Sequence, residues 1–61
     1  MFVDDMLDML VDRREQKVSI YSFSEDCNVY EGKGDDVPYE HLYEEVSSIE
    51  VYNNLFTLNI D

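Results

Sequence analysis

Two asparagines, Asn53 and Asn54, separate the last two apolar runs of the chain and constrain its fold more than any other feature. Asparagine tolerates a positive φ angle, so this pair suits the two-residue type I′ turn of a β-hairpin. The flanking runs, Ser48–Tyr52 and Leu55–Ile60, then form two paired strands. A one-residue slip would mix apolar and polar faces, so the register is well specified. The predicted pairs are Tyr52 with Leu55, Val51 with Phe56, Glu50 with Thr57 and Ile49 with Leu58.

This register divides the hairpin into two faces of different character. Residues separated by two lie on the same side of a strand. One face therefore carries large apolar side chains, namely Ile49, Val51, Phe56, Leu58 and Ile60. The opposite face carries Glu50, Tyr52, Leu55, Thr57 and Asn59.

Residues 2–12 have the spacing of an amphipathic helix. At 100° per residue, its apolar side chains share one side of the helical wheel and its aspartates lie opposite. The apolar set is Phe2, Val3, Met6, Leu7, Met9 and Leu10. The acidic set is Asp4, Asp5, Asp8 and Asp12.

The middle of the chain predicts another hairpin and another helix. Lys17–Phe23 and Asn28–Glu31 read as strands joined by turn-forming residues. A two-residue loop and a three-residue loop both fit, so the register of this hairpin stays open. Residues 32–36 are expected to form a loop, and Pro38–Val46 a helix whose Tyr39 and Tyr43 cover the core.

The resulting order is helix, hairpin, helix, hairpin, in one domain over residues 1–61. It predicts an α+β fold with a four-stranded, mostly antiparallel sheet and both helices on one face. A chain of this size buries only about 60% of its unfolded surface, so the core is thin. Such a domain gains stability from association with a partner or a second copy.

The charge balance restricts the partners. Fifteen Asp and Glu residues against four Lys and Arg give a net charge of -11, which argues against nucleic acid, anionic lipid and acidic substrates as direct partners. No apolar run approaches the roughly 18 residues of a membrane span. Cys27 is the only cysteine, so no disulfide forms within the chain, which favours a reducing, cytoplasmic location.

Three short patterns resemble catalytic or ligand sites, and each is interpreted as structural. Asp4-Asp5-x-x-Asp8 lacks the second acidic cluster of a diphosphate-metal site and is expected to be a solvated helix face. His41 and Glu45 have metal-ligand spacing but no third ligand. Gly32-x-Gly34 lacks a full phosphate-loop pattern, and the aspartates that follow repel phosphate. The sequence therefore predicts no catalytic residue, metal or cofactor, and a protein that is not an enzyme.

Two surfaces are the candidates for binding another protein. The first is the uncovered sheet face with Tyr52, Leu55 and Tyr21, which suits a homodimer or a protein partner because tyrosine is enriched in interface cores. The second is an acidic helix face that would imitate DNA in the basic groove of a nuclease, restriction enzyme or regulator. Its residues are Asp4, Asp5, Asp8, Asp12, Glu40 and Glu44.

The charge density limits the DNA-mimic hypothesis. A fold of this mass exposes roughly 4,100 Å², or about 370 Å² per net charge. B-DNA carries one charge per roughly 100 Å² of its surface. Mimicry therefore requires that the carboxylates gather on one side of the molecule. The preferred hypothesis is a small accessory protein that acts through protein contacts, with the DNA mimic as the alternative.

Five segments between residues 17 and 60 form a recurring pattern of strand and turn residues. They are Lys17-Val-Ser-Ile-Tyr, Tyr30-Glu-Gly, Val37-Pro-Tyr39, Val46-Ser-Ser-Ile49 and Asn53-Asn-Leu-Phe-Thr-Leu-Asn-Ile60. This pattern resembles small proteins of unknown activity from phages and conjugative elements of gut Firmicutes. The resemblance implies a compact α+β fold in a bacterial mobile-element setting, and it implies no activity and no functional residues.

Overall fold

The computed structural model describes all 61 residues and has an α+β fold with one four-stranded sheet. The helical segments are short, and none of them has the length and hydrophobicity needed to cross a membrane. The elements in chain order are α1 (Val3–Asp8), β1 (Lys17–Ser22), β2 (Cys27–Lys33), a 3₁₀ turn (Gly34–Asp36), α2 (Tyr39–Leu42), β3 (Val46–Tyr52) and β4 (Leu55–Ile60).

The sheet is mixed, with strand order β2-β1-β4-β3. Each hairpin is antiparallel, but the two hairpins join through β1 and β4, which run parallel. This central pair aligns Val18 with Phe56 and Ile20 with Leu58. The prediction of a mostly antiparallel sheet is therefore confirmed only in part, because the junction between the hairpins is parallel.

The C-terminal hairpin confirms its predicted register at all four pairs, from Tyr52 with Leu55 to Ile49 with Leu58. Asn53 and Asn54 adopt φ angles of 50° and 63°. A type I′ turn, whose twist matches that of the flanking strands, requires such positive φ angles at both central residues. The local sequence therefore determined this hairpin.

The first hairpin has neither of the two loops that the sequence left open. Ser22 pairs with Cys27 across a four-residue loop, and a bulge follows because Ile20 pairs with Tyr30 while Tyr21 pairs with Asn28. Phe23 lies in the loop, where its N–H donates to the carbonyl of Ile60 at 2.8 Å. These contacts favour a longer loop, and β2 extends through Gly32 and Lys33, which were expected to be loop residues.

The first helix is shorter than predicted and ends at Asp8 instead of residue 12. Residues 9–15 form turns and a bend instead. The backbone of this segment packs closely on Gly34, whose N–H donates to the carbonyl of Gln16 at 2.9 Å. A Cβ atom on Gly34 would lie only 2.6 Å from the carbonyl oxygen of Arg13. This close packing fixes the path of the chain between α1 and β1.

The second helix, predicted over Pro38–Val46, contains a single turn. The chain instead becomes extended, because Phe2 forms a β-bridge with Glu45 and the Val3 N–H donates to the Glu44 carbonyl at 2.9 Å. The prediction that Tyr39 and Tyr43 cover the core is wrong. Both are exposed, and their rings contact each other edge to face at 5.4 Å.

The core is small and lies between the sheet and α1. Leu42 of α2 packs against the same core, so both helices contribute to it. A helix is about 10 Å wide, whereas four strands about 4.8 Å apart span about 14 Å, so α1 covers only part of the sheet. The buried apolar residues are Val3, Leu7, Val18, Ile20, Val37, Leu58 and Ile60.

Tyr30 of β2 is half-buried against this core, and its hydroxyl donates to the carbonyl of Lys33 at 2.6 Å. Burial, followed by the negative charge of Asp36, raises the pKa of Tyr30 above 10.0. The unfolded chain therefore loses this proton first as the pH rises. The contribution of the protonated Tyr30 hydroxyl to stability is complete below the pKa of Tyr30 in the unfolded chain. This contribution is lost as the pH rises through the pKa of Tyr30 in the folded protein.

We therefore expect Tyr30→Phe to reduce the loss of stability on alkalinisation. Urea unfolding of wild type and variant, followed by circular dichroism near pH 8 and near pH 11, measures this loss. The variant has a lower midpoint near pH 8, since it lacks the hydrogen bond to Lys33, but a smaller decrease between the two pH values. An equal decrease in both proteins would show that Tyr30 does not titrate differently in the folded state.

Candidate interaction surfaces

An apolar groove lies between α1 and the C-terminal hairpin. Its cavity measures about 220 Å³, and all of its lining side chains are hydrophobic. Leu7 is buried, but Met9 is 68% exposed and Ile49 is 39% exposed. The lining residues are Met6, Leu7, Met9, Leu10, Val18, Ile49, Phe56 and Leu58.

The groove is open because α1 ends before it covers β3. A helix of six residues is only about 9 Å long. Ile49 and Val51 of β3 are on the same sheet face as the buried Leu58, yet Val51 is 59% exposed. The apolar half of the C-terminal hairpin is thus only partly covered. We call the groove together with Val51 the apolar face.

The free edge of β3 borders this apolar face. Tyr52 and Leu55 flank a two-residue turn and therefore exchange backbone hydrogen bonds. Hydrogen-bonded pairs alternate along an antiparallel hairpin, so the next such pair is Glu50 with Thr57. The intervening residues, Ile49 and Val51, direct their N–H and C=O groups away from β4. β3 is an edge strand, so no strand pairs with these groups. The same two residues therefore offer apolar side chains and unpaired backbone groups.

On the opposite sheet face, Tyr21 and Tyr52, which were predicted to share one surface, lie far apart. Tyr21 is aligned with Asn59, four residues beyond Leu55 on β4, which corresponds to about 13 Å along the strand. Tyr52 is 78% exposed beside Leu55, whereas Tyr21 donates to Asp26 Oδ1 at 2.5 Å. This hydrogen bond raises the pKa of Tyr21.

Polar groups fill the space between these tyrosines. The hydroxyls of Ser19 and Thr57 are 2.8 Å apart, and the Asn59 amide donates to Ser48 Oγ at 3.0 Å and to Glu50 Oε2 at 3.1 Å. Tyr52, Leu55 and Tyr21 therefore do not form one apolar patch. The apolar surface lies on the helix side of the sheet instead.

The aspartates of the predicted acidic face have local partners. The Arg13 guanidinium donates to Asp4 Oδ1 at 3.0 Å and also to Asp8. Burial opposes the charge of Arg13, but these hydrogen bonds and the two carboxylate charges raise its pKa. Asp5 accepts the Phe2 N–H at 3.0 Å, and Asp12, beyond the end of α1, accepts the Glu15 N–H at 3.4 Å.

The acidic residues of the second helix contact its histidine. His41 Nδ1 lies 2.5 Å from Glu44 Oε1, and His41 Nε2 lies 3.8 Å from Glu40. His41 thus pairs with Glu44 instead of Glu45, and no three His, Cys, Asp or Glu side chains are placed to hold a metal ion. The accessible surface is 4070 Å², which divided by 11 net charges gives about 370 Å² per charge.

Sequence reasoning did not identify the apolar face as a site. Ile49, Val51 and Met9 were assigned correctly to apolar sides, but an apolar side chain was assumed to be covered. Only the early end of α1 exposes them. The sequence carries no local signal for this early end, because the apolar pattern continues through Met9 and Leu10.

Comparison of the chain with protein-family models, with curated proteins and with solved structures found no match.

Proposed function

We propose that this chain is a small accessory protein that acts through protein–protein contacts instead of catalysis, and that its contact surface is the apolar face. The observation that carries this proposal is a groove lined entirely by hydrophobic side chains beside the exposed Val51. Contiguous apolar surface of this kind marks interaction sites in small proteins. We further propose that it acts in a bacterial cytoplasm in a mobile-element setting; the single exposed cysteine, which suits a reducing compartment, supports the location.

The small size of the core also favours the apolar face as the contact surface. Only 11 of 61 residues are buried, so the domain has little core of its own. Covering Ile49, Val51 and Met9 with a partner would remove apolar area from water at about 25 cal/mol per Å². Occupation of the groove thus stabilises both the complex and the fold.

The acidic helix face receives less support as a contact surface. Each of its six carboxylates already contacts a group within the chain, and Arg13 neutralises part of the charge on α1. A protein that imitates DNA needs carboxylates free to meet basic side chains. These carboxylates therefore act first as helix-end and turn contacts.

Two neighbouring residues of β3 provide a test with a matched control. Val51 and Tyr52 are adjacent, exposed and on opposite faces of one strand. We expect Val51→Glu to reduce recovery of the partner at least about tenfold in affinity purification from the native host, because a buried unpaired carboxylate is costly at an apolar interface. Tyr52→Glu, which makes the same charge change, should retain the partner.

The opposite pattern, with loss caused by Tyr52→Glu alone, would place the contact on the other sheet face. Thermal unfolding of both variants by circular dichroism confirms that each is folded. Sedimentation equilibrium of the purified wild type determines whether two copies associate. A species of 7.2 kDa at high micromolar concentration means that the partner is a different protein.

A further inference from the structure

We infer that the partner contributes an extended segment that adds to the free edge of β3, with apolar residues on the groove side alternating with basic residues on the other side. This inference rests on the proposed function, because it names the binding mode and the partner chemistry for the same surface. It follows from the backbone, the side chains and the charge around Ile49 and Val51.

The backbone of β3 is suited to strand addition. Its N–H and C=O groups at Ile49 and Val51 point away from β4, and the pairing is regular from Ser48 to Tyr52. The other sheet edge, β2, carries a bulge in its middle, which disrupts the row of free backbone groups. β3 is therefore the better template for a further strand.

Side-chain alternation specifies which residues the added strand needs. In an antiparallel pair, residues directly opposite lie on the same face, so residues opposite Ile49 and Val51 point to the groove side. An added strand lies about 4.8 Å from β3, and its groove-side residues would extend the apolar lining to which Ile49 and the exposed Met9 belong. Apolar residues at every second position would cover these side chains.

The charge specifies the remaining positions. Glu50 lies between Ile49 and Val51 and on the opposite face, so the residue opposite it meets a carboxylate. Arg13, Lys17 and Lys33 already form ion pairs within a chain of net charge -11. The surrounding field therefore attracts basic segments and speeds their association. Lysine or arginine at the alternate positions matches both features.

A second copy of the chain fits this edge less well. The symmetric antiparallel register that pairs Ile49 of one copy with Val51 of the other sets the two Glu50 side chains opposite each other. Like charges directly opposite are destabilising. A second copy also adds another -11 of charge, whereas a basic segment reduces it.

The test uses the full chain and a fluorescent seven-residue peptide. Its sequence is Lys-Val-Lys-Ile-Lys-Val-Lys, so that lysine alternates with apolar residues. We expect fluorescence anisotropy to show binding that weakens several-fold between about 50 and 300 mM salt, because charge attraction is screened. Amide hydrogen exchange measured by NMR should slow at least about tenfold at Ile49 and Val51 in the complex. The Glu50 amide, which already bonds to β4, is the internal reference.

Two control peptides of identical charge separate strand addition from general attraction. One carries an N-methyl group on the central isoleucine, which removes the N–H that would meet β3. The other has the same composition with all lysines at the ends, which removes the alternation. We expect both to bind at least about tenfold more weakly, since each loses backbone or apolar contacts.

Equal affinity for all three peptides, or unchanged exchange at Ile49 and Val51, would overturn strand addition. Addition of a basic segment would also be overturned if peptide binding strengthens with salt and the protein alone has twice the mass of one chain. The strand that occupies the edge would then belong to a second copy. The comparison of Val51→Glu with Tyr52→Glu separates the two proposals. If Val51→Glu loses the partner but the peptide gives no protection, only strand addition fails; if Val51→Glu keeps the partner, the proposed function fails as well.

Discussion

Replacing Leu7 with alanine should lower the melting temperature by on the order of 10–30 °C and leave much of the protein unfolded at 37 °C. Leu7 is 1% exposed and packs between α1 and the sheet. A buried Leu→Ala change costs about 2–5 kcal/mol. A domain of 61 residues has only about 3–9 kcal/mol of stability, and each kcal/mol shifts its melting temperature by about 4–8 °C.

Met9→Ala is the matched control for Leu7→Ala. Both residues belong to the apolar side of the α1 segment and line the groove, but Met9 is 68% exposed. We expect its loss to change stability by no more than about 0.5 kcal/mol, as for most surface substitutions. Thermal unfolding by circular dichroism compares the two. Equal melting temperatures for both variants would mean that α1 does not pack on the sheet as described.

Gly34→Ala is the second change with a large expected effect. The added Cβ would lie 2.6 Å from the carbonyl oxygen of Arg13 and 3.5 Å from a methyl group of Leu7. The obstruction is backbone, so it cannot rotate away, and a backbone shift would stretch the hydrogen bond from Gly34 to Gln16. Overpacking of this kind costs about 1–3 kcal/mol. The segment between α1 and β1 should then detach from the 3₁₀ turn.

Gly32→Ala provides the comparison for this prediction. Its Cβ would lie 2.7 Å from the hydroxyl of Tyr30, which is the far end of a side chain. Tyr30 can move aside by giving up its hydrogen bond to Lys33, a loss of about 1 kcal/mol. Urea unfolding of both variants measures the difference. A larger loss for Gly32→Ala than for Gly34→Ala would contradict the assigned role of Gly34.

The features that the sequence predicted well depend on neighbours in the chain. The register of the C-terminal hairpin was predicted correctly at the four pairs nearest its turn, because Asn53 and Asn54 adopt the positive φ angles of that turn and the flanking alternation leaves one register. The existence of α1 follows from its local periodicity in the same way. The first hairpin was less certain, since the bulge at Ile20 and Tyr21 has no clear local signal.

The features that the sequence did not predict depend on residues far apart in the chain. The parallel pairing of β1 with β4 joins segments separated by about 38 residues. The end of α2 depends on the bridge between Phe2 and Glu45. Neither contact leaves a pattern within one segment, so periodicity and turn propensity could not reveal them.

The sequence by itself determined two antiparallel hairpins, an amphipathic first helix and the side of each segment that is apolar. The tertiary structure decided which of those apolar sides are covered. The contact between Gly34 and Arg13 lies where the chain turns away from the helical path, and α1 ends at Asp8. Ile49 and Val51 consequently remain exposed at the edge of the sheet, because a helix of six residues is too short and too narrow to reach them.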